Sequence, residues 1–164
     1  MILTPHAIVG ATLANIFPND PALGFGLAFF SHYILDMLPH TDYDINNFLE
    51  QKTQTVKSIF KSFGSALHFS FTLLDLIVAI ILCILFFVRD EKTAIITLLG
   101  IVGGLLGDFF QFMYYKYKNQ PWIFLQKIHD KTHNIYKIKI KPILGYFAQL
   151  TLITLVLFIY FWFK

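Results

Sequence analysis

Between Ser31 and Asp44 the chain reads SHYILDMLPHTDYD, placing two histidines and three aspartates within fourteen residues at the end of an otherwise apolar stretch. Imidazole nitrogens and carboxylate oxygens are donors for Zn²⁺ and other first-row divalent ions, and the same groups serve as general acids and bases. His32 and Asp36 stand four residues apart, so a helix puts both on one face. The same periodicity gathers further candidates. His68, Thr72 and Asp75 fall at i, i+4 and i+7 on one stripe. Asp108 continues the row Gly100, Gly104, beside Gly103 and Gly107, and His6, Gly10 and Ala14 form a second small-residue row. Rows of small residues let two helix backbones approach closely, which points Asp108 into a bundle.

The elements that must position these groups are apolar. Hydrophobic residues make up 56% of the chain and charged residues 14%, where a soluble domain carries about 25% charged residues. Mean hydropathy is +0.61. Leu67–Val88, Ala94–Tyr115 and Ile143–Phe163 each supply the ~20 apolar residues that cross a hydrocarbon core. Two shorter runs, Pro5–Phe17 and Ala22–Leu38, flank the turn Pro18-Asn19-Asp20-Pro21. At ~1.5 Å per residue they reach about 20 and 25 Å, which predicts a tight hairpin dipping into the bilayer rather than two ordinary spans. Thr4 as N-cap and Pro5 at the first helical position mark its start. The N-terminus has no basic region ahead of its apolar run, so no cleavable signal peptide is expected.

The expected fold is therefore all-α: one polytopic membrane helical bundle over residues 1–164. It comprises a short helical hairpin at 5–38, a loop at 39–66, transmembrane helices at 67–88, 94–115 and 143–163, and a basic loop at 116–142. The two loops hold ten of the 13 Lys and Arg residues, and short basic loops stay in the cytoplasm. The expectation is a multi-pass protein of the cell inner membrane with both lysine-rich loops cytoplasmic. Within them, Val56, Ile59, Phe60 and Phe63 recur at helical spacing among lysines, as in an interfacial helix. Residues 136–141 alternate as in a short extended run. Membrane lipids are the expected partners of this charge, which attracts anionic headgroups. No recognition module surrounds it, so nucleic acid is not expected.

On this topology all six histidines lie on the lysine-rich side. A charged side chain at mid-bilayer costs about 2.5–3.5 kcal/mol even on lenient scales, so Asp36, Asp75 and Asp108 within apolar helices are functional candidates. A divalent cation would supply the charge that keeps carboxylates ionised there. His6, His32, Asp36 and His68 are the expected ligands of such an ion, zinc by donor type. Asp42, Asp44 and Asp108 are the candidate general bases. Each has a plainer reading as well: a hydrogen-bonded helix pair, an interfacial first turn, or, for His40, Asp42 and Asp44, the polar turn after the Leu38-Pro39 helix stop. His129 and His133 have ligand-like i, i+4 spacing in HDKTH, yet their lysine-rich surroundings read as a solvated basic surface. Cys83 is solitary, so neither a disulfide nor a thiolate-rich zinc site is available.

Three segments carry a family resemblance. Thr4-Pro5-His6-Ala7-Ile8-Val9-Gly10, Ser31-His32-Tyr33-Ile34-Leu35-Asp36-Met37-Leu38-Pro39 and, more loosely, Phe63-Gly64-Ser65-Ala66-Leu67-His68-Phe69-Ser70 resemble motifs of the YdjM-like family of bacterial membrane-bound, metal-dependent hydrolases. The likeness covers roughly residues 1–75. It carries over directly to His32 and Asp36 in the Ser-His-x-x-x-Asp helix, and by position to His6 and His68. The family's Leu-Pro-Asp-x-Asp-His motif is matched only as Leu38-Pro39-His40-Thr41-Asp42-Tyr43-Asp44, in altered order, and its Arg-Gly-Thr-His element lacks the arginine here. The resemblance implies a membrane-bound metal-dependent hydrolase without naming a substrate; a site opening at headgroup depth beside the basic loops makes lipid or phosphoester hydrolysis at the cytoplasmic interface the expectation. The alternative is a non-enzymatic membrane protein, structural, metal-binding or ion- or proton-transporting, that uses the same buried groups.

Overall fold

The computed structural model describes residues 1–41, 63–133 and 141–163; the side chains of residues 63–69 and 133 lie outside that description. Every regular element among the described residues is helical: α1 Leu3–Ile16, α2 Pro21–Asp36, α3 Phe63–Phe87, α4 Glu91–Tyr117, α5 Trp122–His133 and α6 Pro142–Trp162. Within α3, α4 and α6, the stretches Ser70–Phe87, Glu91–Tyr117 and Pro142–Trp162 are long and apolar enough to cross a membrane. Their outward faces leave Leu85, Phe109, Leu150 and Phe158 exposed. Apolar surface of that extent suggests a membrane protein. The interfacial helix expected around 56–63 and the extended run at 136–141 fall largely outside the described residues.

The shortest of the hairpin's two helices, α1, forms the centre. Eleven of its residues are buried, and it packs on α2, α3, α4 and α6. That is possible because its sequence, LTPHAIVGATLANI, is small and uncharged on every face. Ala7, Ile8 and Ala11 meet Ala79, Cys83 and Phe87 of α3, Ile101 of α4 and Tyr160 of α6 in the main apolar core. Thr12 and Asn15, also buried, are satisfied: the Thr12 hydroxyl donates to the Ile8 carbonyl at 2.7 Å, and Asn15 Nδ2 donates to Ala11 O and Thr97 Oγ1.

The two small-residue rows read from the sequence pack against each other. Gly10 faces Gly100 and Gly104, and Gly104 also lies on the His6 carbonyl. On the neighbouring face of α4, Gly103 meets Ala28 of α2 and Gly107 meets the His32 ring. At Gly104 any Cβ would run into backbone, so only glycine permits this crossing.

The hairpin does not stop part-way along the bundle. Asp20 caps α2 by accepting from Leu23 N, with Pro21 at the first position. Beside that turn, Lys92 Nζ donates to Asn19 Oδ1 at 3.2 Å, so the hairpin tip lies level with the turn between α3 and α4. That turn is closed by a capping box between Asp90 and Thr93. The Thr93 N–H and hydroxyl hold the Asp90 carboxyl below its usual range. At the other end, Gln149 of α6 accepts from Ile2 N at 3.2 Å and donates to Thr41 O at 3.0 Å.

Because backbone meets backbone at the α1–α4 crossing, Gly104→Ala is expected to force the helices apart and destabilise the protein by about 1–3 kcal/mol. Gly26→Ala, whose added methyl meets nothing within 4 Å, is the control. Thermal unfolding of the detergent-solubilised protein measures both, and equal midpoints would contradict this account of the crossing.

Candidate metal centre

Asp36, the last residue of α2, is 2% exposed and receives groups from three directions. Its Oδ1 lies 3.2 Å from Nε2 of His6 on α1 and 3.2 Å from the Met1 amine. Its Oδ2 lies 3.1 Å from Nε2 of His32, one turn earlier on α2, and 3.3 Å from Nε2 of His129 on α5. Asp108 of α4 stands behind the His32 ring, with Oδ2 3.9 Å from Nδ1. The His6 and His32 rings lie 4.2 Å apart between centroids, and the His32 and His129 rings 5.5 Å apart. Helices α1, α2, α4 and α5 thus each contribute one or two donors.

Local packing fixes the ring positions. His32 Nδ1 is 3.0 Å from the Gly104 carbonyl. A carbonyl only accepts, so Nδ1 carries the proton, and in a neutral imidazole the lone pair falls on Nε2. This is how metal-binding histidines are commonly oriented. Gly107 clears the space the ring occupies, since a Cβ there would overlap it. Gln111 Nε2 of α4 lies 3.4 Å from His129 Nδ1; an amide nitrogen donates, so Nδ1 accepts there and a neutral His129 carries its proton on Nε2, toward Asp36.

Nε2 of His6 and of His32 lie 3.2 and 3.1 Å from Asp36, contacts that are ion pairs only when the imidazole is protonated. Neither nitrogen of His6, nor Nε2 of His32, finds a hydrogen-bond partner among the described residues, although all three are buried. A buried polar group left without a partner costs about 1–3 kcal/mol, and a lone pair facing a carboxylate oxygen is repulsive besides. A cation between them removes both penalties. Two sets of donors have atoms within 4.8 Å of one another: His6, His32 and Asp36, and His32, Asp108 and His129. The first set is fully buried, and in the second only Asp108 is partly exposed.

The sequence candidates divide accordingly. His6, His32 and Asp36 come together, and Asp108 joins their edge with its side chain 25% exposed. His68 lies in the first turns of α3, with its side chain outside the described residues; Asp42 and Asp44 also lie outside them. His40 is half-buried, with Nδ1 2.6 Å from the Leu38 carbonyl. Asp75 has a structural task, because α1 begins without a side-chain cap of its own. From α3, its Oδ2 accepts from Leu3 N at 2.7 Å and Thr4 N at 3.1 Å, and its Oδ1 accepts from the Thr4 hydroxyl at 2.5 Å. Thr4 is therefore a helical residue bonded to Asp75 rather than the cap.

His129 is the ligand candidate that sequence reasoning undervalued. The segment read as a solvated basic loop contains α5, whose Gln126, His129 and Thr132 are buried while Lys127, Asp130 and Lys131 face outward. A polar row at three-residue spacing, offset from the lysines, is the signal that separates the two faces. No family model, curated protein or solved structure matches this chain.

Since α1 carries His6 and is held at its first turn from α3, Asp75→Ala is expected to lower stability by about 1 kcal/mol, the usual cost of losing an N-cap. Asp75→Asn, which keeps an acceptor oxygen, is expected to retain most of it. Thermal unfolding of the two variants tests this, and equal losses would reject the capping role.

Proposed function

We propose that this chain is a membrane-bound metal-dependent hydrolase whose divalent ion, zinc by donor chemistry, is held by His6, His32 and Asp36. The observation that carries this reading is the convergence of buried imidazole nitrogens, unpartnered in hydrogen bonding, on one buried carboxylate. The motif resemblance to YdjM-like hydrolases, centred on His32 and Asp36, supports it independently. The apolar outer surfaces of α3, α4 and α6 support placement in a membrane, and the excess of lysine near the centre supports a cytoplasm-facing site in the inner membrane.

A bound divalent ion would supply Lewis acidity and a water activated near neutral pH. His32 keeps its lone pair directed at that position because Gly104 holds its other nitrogen. Asp108, partly exposed beside His32, is the described residue best placed to accept a proton from an incoming water. Asp42 and Asp44 retain the same proposed role, and His68 that of a further ligand.

Lipid or phosphoester substrates fit the setting. Gln149 lies seven positions after Pro142 and Asp75 twelve positions after Phe63, so the level of the centre is about 10–18 Å inside the helix ends on the side of α5 at 1.5 Å per residue. A lipid's ester linkages lie below its headgroup and would reach this depth more readily than a soluble substrate. Hydrolysis, rather than ion passage, is also favoured by the aspartates themselves. Asp75 is committed to capping α1 and does not continue a line of carboxylates through the bundle.

Metal analysis of the purified full chain tests the proposal. Wild type and His40→Ala are expected to carry stoichiometric divalent metal. His32→Ala and Asp36→Ala are expected to lose at least tenfold in metal affinity, in line with the loss of a direct ligand. Negligible metal in the wild type would refute the hydrolase mechanism.

A further inference from the structure

We propose that a groove between the end of α2 and α6 holds one acyl chain of an anionic glycerophospholipid, with the headgroup beside Lys141. The inference rests on the placement of α3, α4 and α6 in a membrane and is independent of a bound metal and of hydrolysis. Leu144, Ala148, Leu152 and Leu155 stand at i, i+4, i+8 and i+11 and give the groove one continuous stripe of α6. The rest of its apolar lining comes from Met1 and from Leu38-Pro39, just past α2. The groove exists because α2 and α6 both pack on α1. Met1, Val9 and Leu35 form a small apolar cluster there, with Leu152 and Val156 of α6 packed against it.

Size decides the occupant. The groove encloses about 500 Å³. From Leu144 to Leu155 is eleven positions, or about 16 Å along α6 at 1.5 Å per residue. The mean cross-section is then roughly 30 Å², equivalent to a channel about 6 Å wide, against the 10–12 Å diameter of a helix with its side chains. An extended hydrocarbon chain fits that width and a helix of a second copy does not. The length is about half of the ~30 Å hydrocarbon core, the reach of the chains of one leaflet. In lipid there is no water to expel, so the gain on filling is van der Waals contact. A groove left empty forfeits those contacts along its open side, and a flexible chain restores them.

The polar groups agree with an amphiphile. Lys141 is exposed immediately before α6, three positions from Leu144, and α6 itself contains no charged residue. A lysine at the end of an apolar slot complements an anionic lipid headgroup. Both polar side chains of the lining already have protein partners. Gln149 accepts from Ile2 N and donates to Thr41 O, and the Thr151 hydroxyl donates to Phe147 O at 2.8 Å. A hydrocarbon chain beside them therefore leaves neither without a hydrogen bond. The groove is also continuous with the candidate centre, because Met1 lines it and places its amine 3.2 Å from Asp36 Oδ1.

Photocrosslinking of the purified full chain in lipid nanodiscs tests the inference, with phosphatidylglycerol or phosphatidylcholine carrying a diazirine in the acyl chain and the labelled residues mapped by mass spectrometry. The wild type is expected to be labelled at Leu144, Leu152 and Leu155 in preference to Leu150 and Phe161, which are exposed on α6 outside the groove. Phosphatidylglycerol is expected to label more than phosphatidylcholine. Ala148→Phe, at an exposed position whose larger side chain fills the groove, is expected to lose the preference for groove residues. Leu150→Phe, outside the lining, is expected to keep it. Lys141→Glu is expected to keep the acyl labelling and lose the preference for phosphatidylglycerol. Equal labelling inside and outside the groove, or crosslinks there to another protein segment in place of lipid, would overturn the inference and leave the metal reading intact. Equal labelling by the two lipids would overturn the headgroup assignment. Release of the chain from membranes by alkaline carbonate would overturn the membrane placement together with the groove.

Discussion

A carboxylate almost wholly removed from solvent governs how this bundle is put together. Placing Asp36 in an apolar interior is tolerable only if compensating groups arrive from several helices, because no single helix can surround its own last residue. His6 must come from α1, His129 from α5, and His32 from the preceding turn of α2. Each of those requirements sets the position of a whole element. α2 ends at Asp36, three positions before Pro39, so the carboxylate enters the cluster from the helix's last turn.

Such convergence requires helices closer than ordinary side chains allow, and α4 provides it on two adjacent faces. Gly100 and Gly104 admit α1, while Gly103 and Gly107 admit α2 and the His32 ring. The glycines also leave the Gly104 carbonyl accessible to His32 Nδ1. Close packing and ring orientation are therefore one feature: the residue that lets the helices meet also sets the imidazole tautomer.

Much of this arrangement was legible in periodicity. The apolar runs marked α1, α2, α3, α4 and α6 to within a few residues, and the two small-residue rows identified the surfaces that meet. The i, i+4 spacing of His32 and Asp36 paired them before any fold was known, and the row leading to Asp108 pointed to the same centre. His129 was harder to see, because lysines on the outward face of α5 dominate its local composition and the buried polar row is only three residues long. The capping role of Asp75 had no sequence signal, since its partners are the main-chain N–H groups of Leu3 and Thr4, which every residue type except proline offers. The depth of the hairpin was likewise hidden. Counting apolar residues gives its length, but its tip position depends on Lys92 reaching Asn19 from a distant part of the chain.

Burial alone does not describe a carboxylate's role, and Asp75 and Asp36 differ in the partners they meet. Asp75 meets two N–H groups and a hydroxyl, donors that match its lone pairs and complete the first turn of α1. Nothing about that arrangement calls for a further group. Asp36 instead meets imidazoles, and the tautomer fixed at His32 turns an acceptor toward an acceptor. A positive charge among these atoms, which approach within 3.1–3.3 Å, would relieve that repulsion. The Met1 amine offers such charge to Oδ1. On the Oδ2 side, His32 and His129 approach together and the buried oxygen of Asp108 stands nearby.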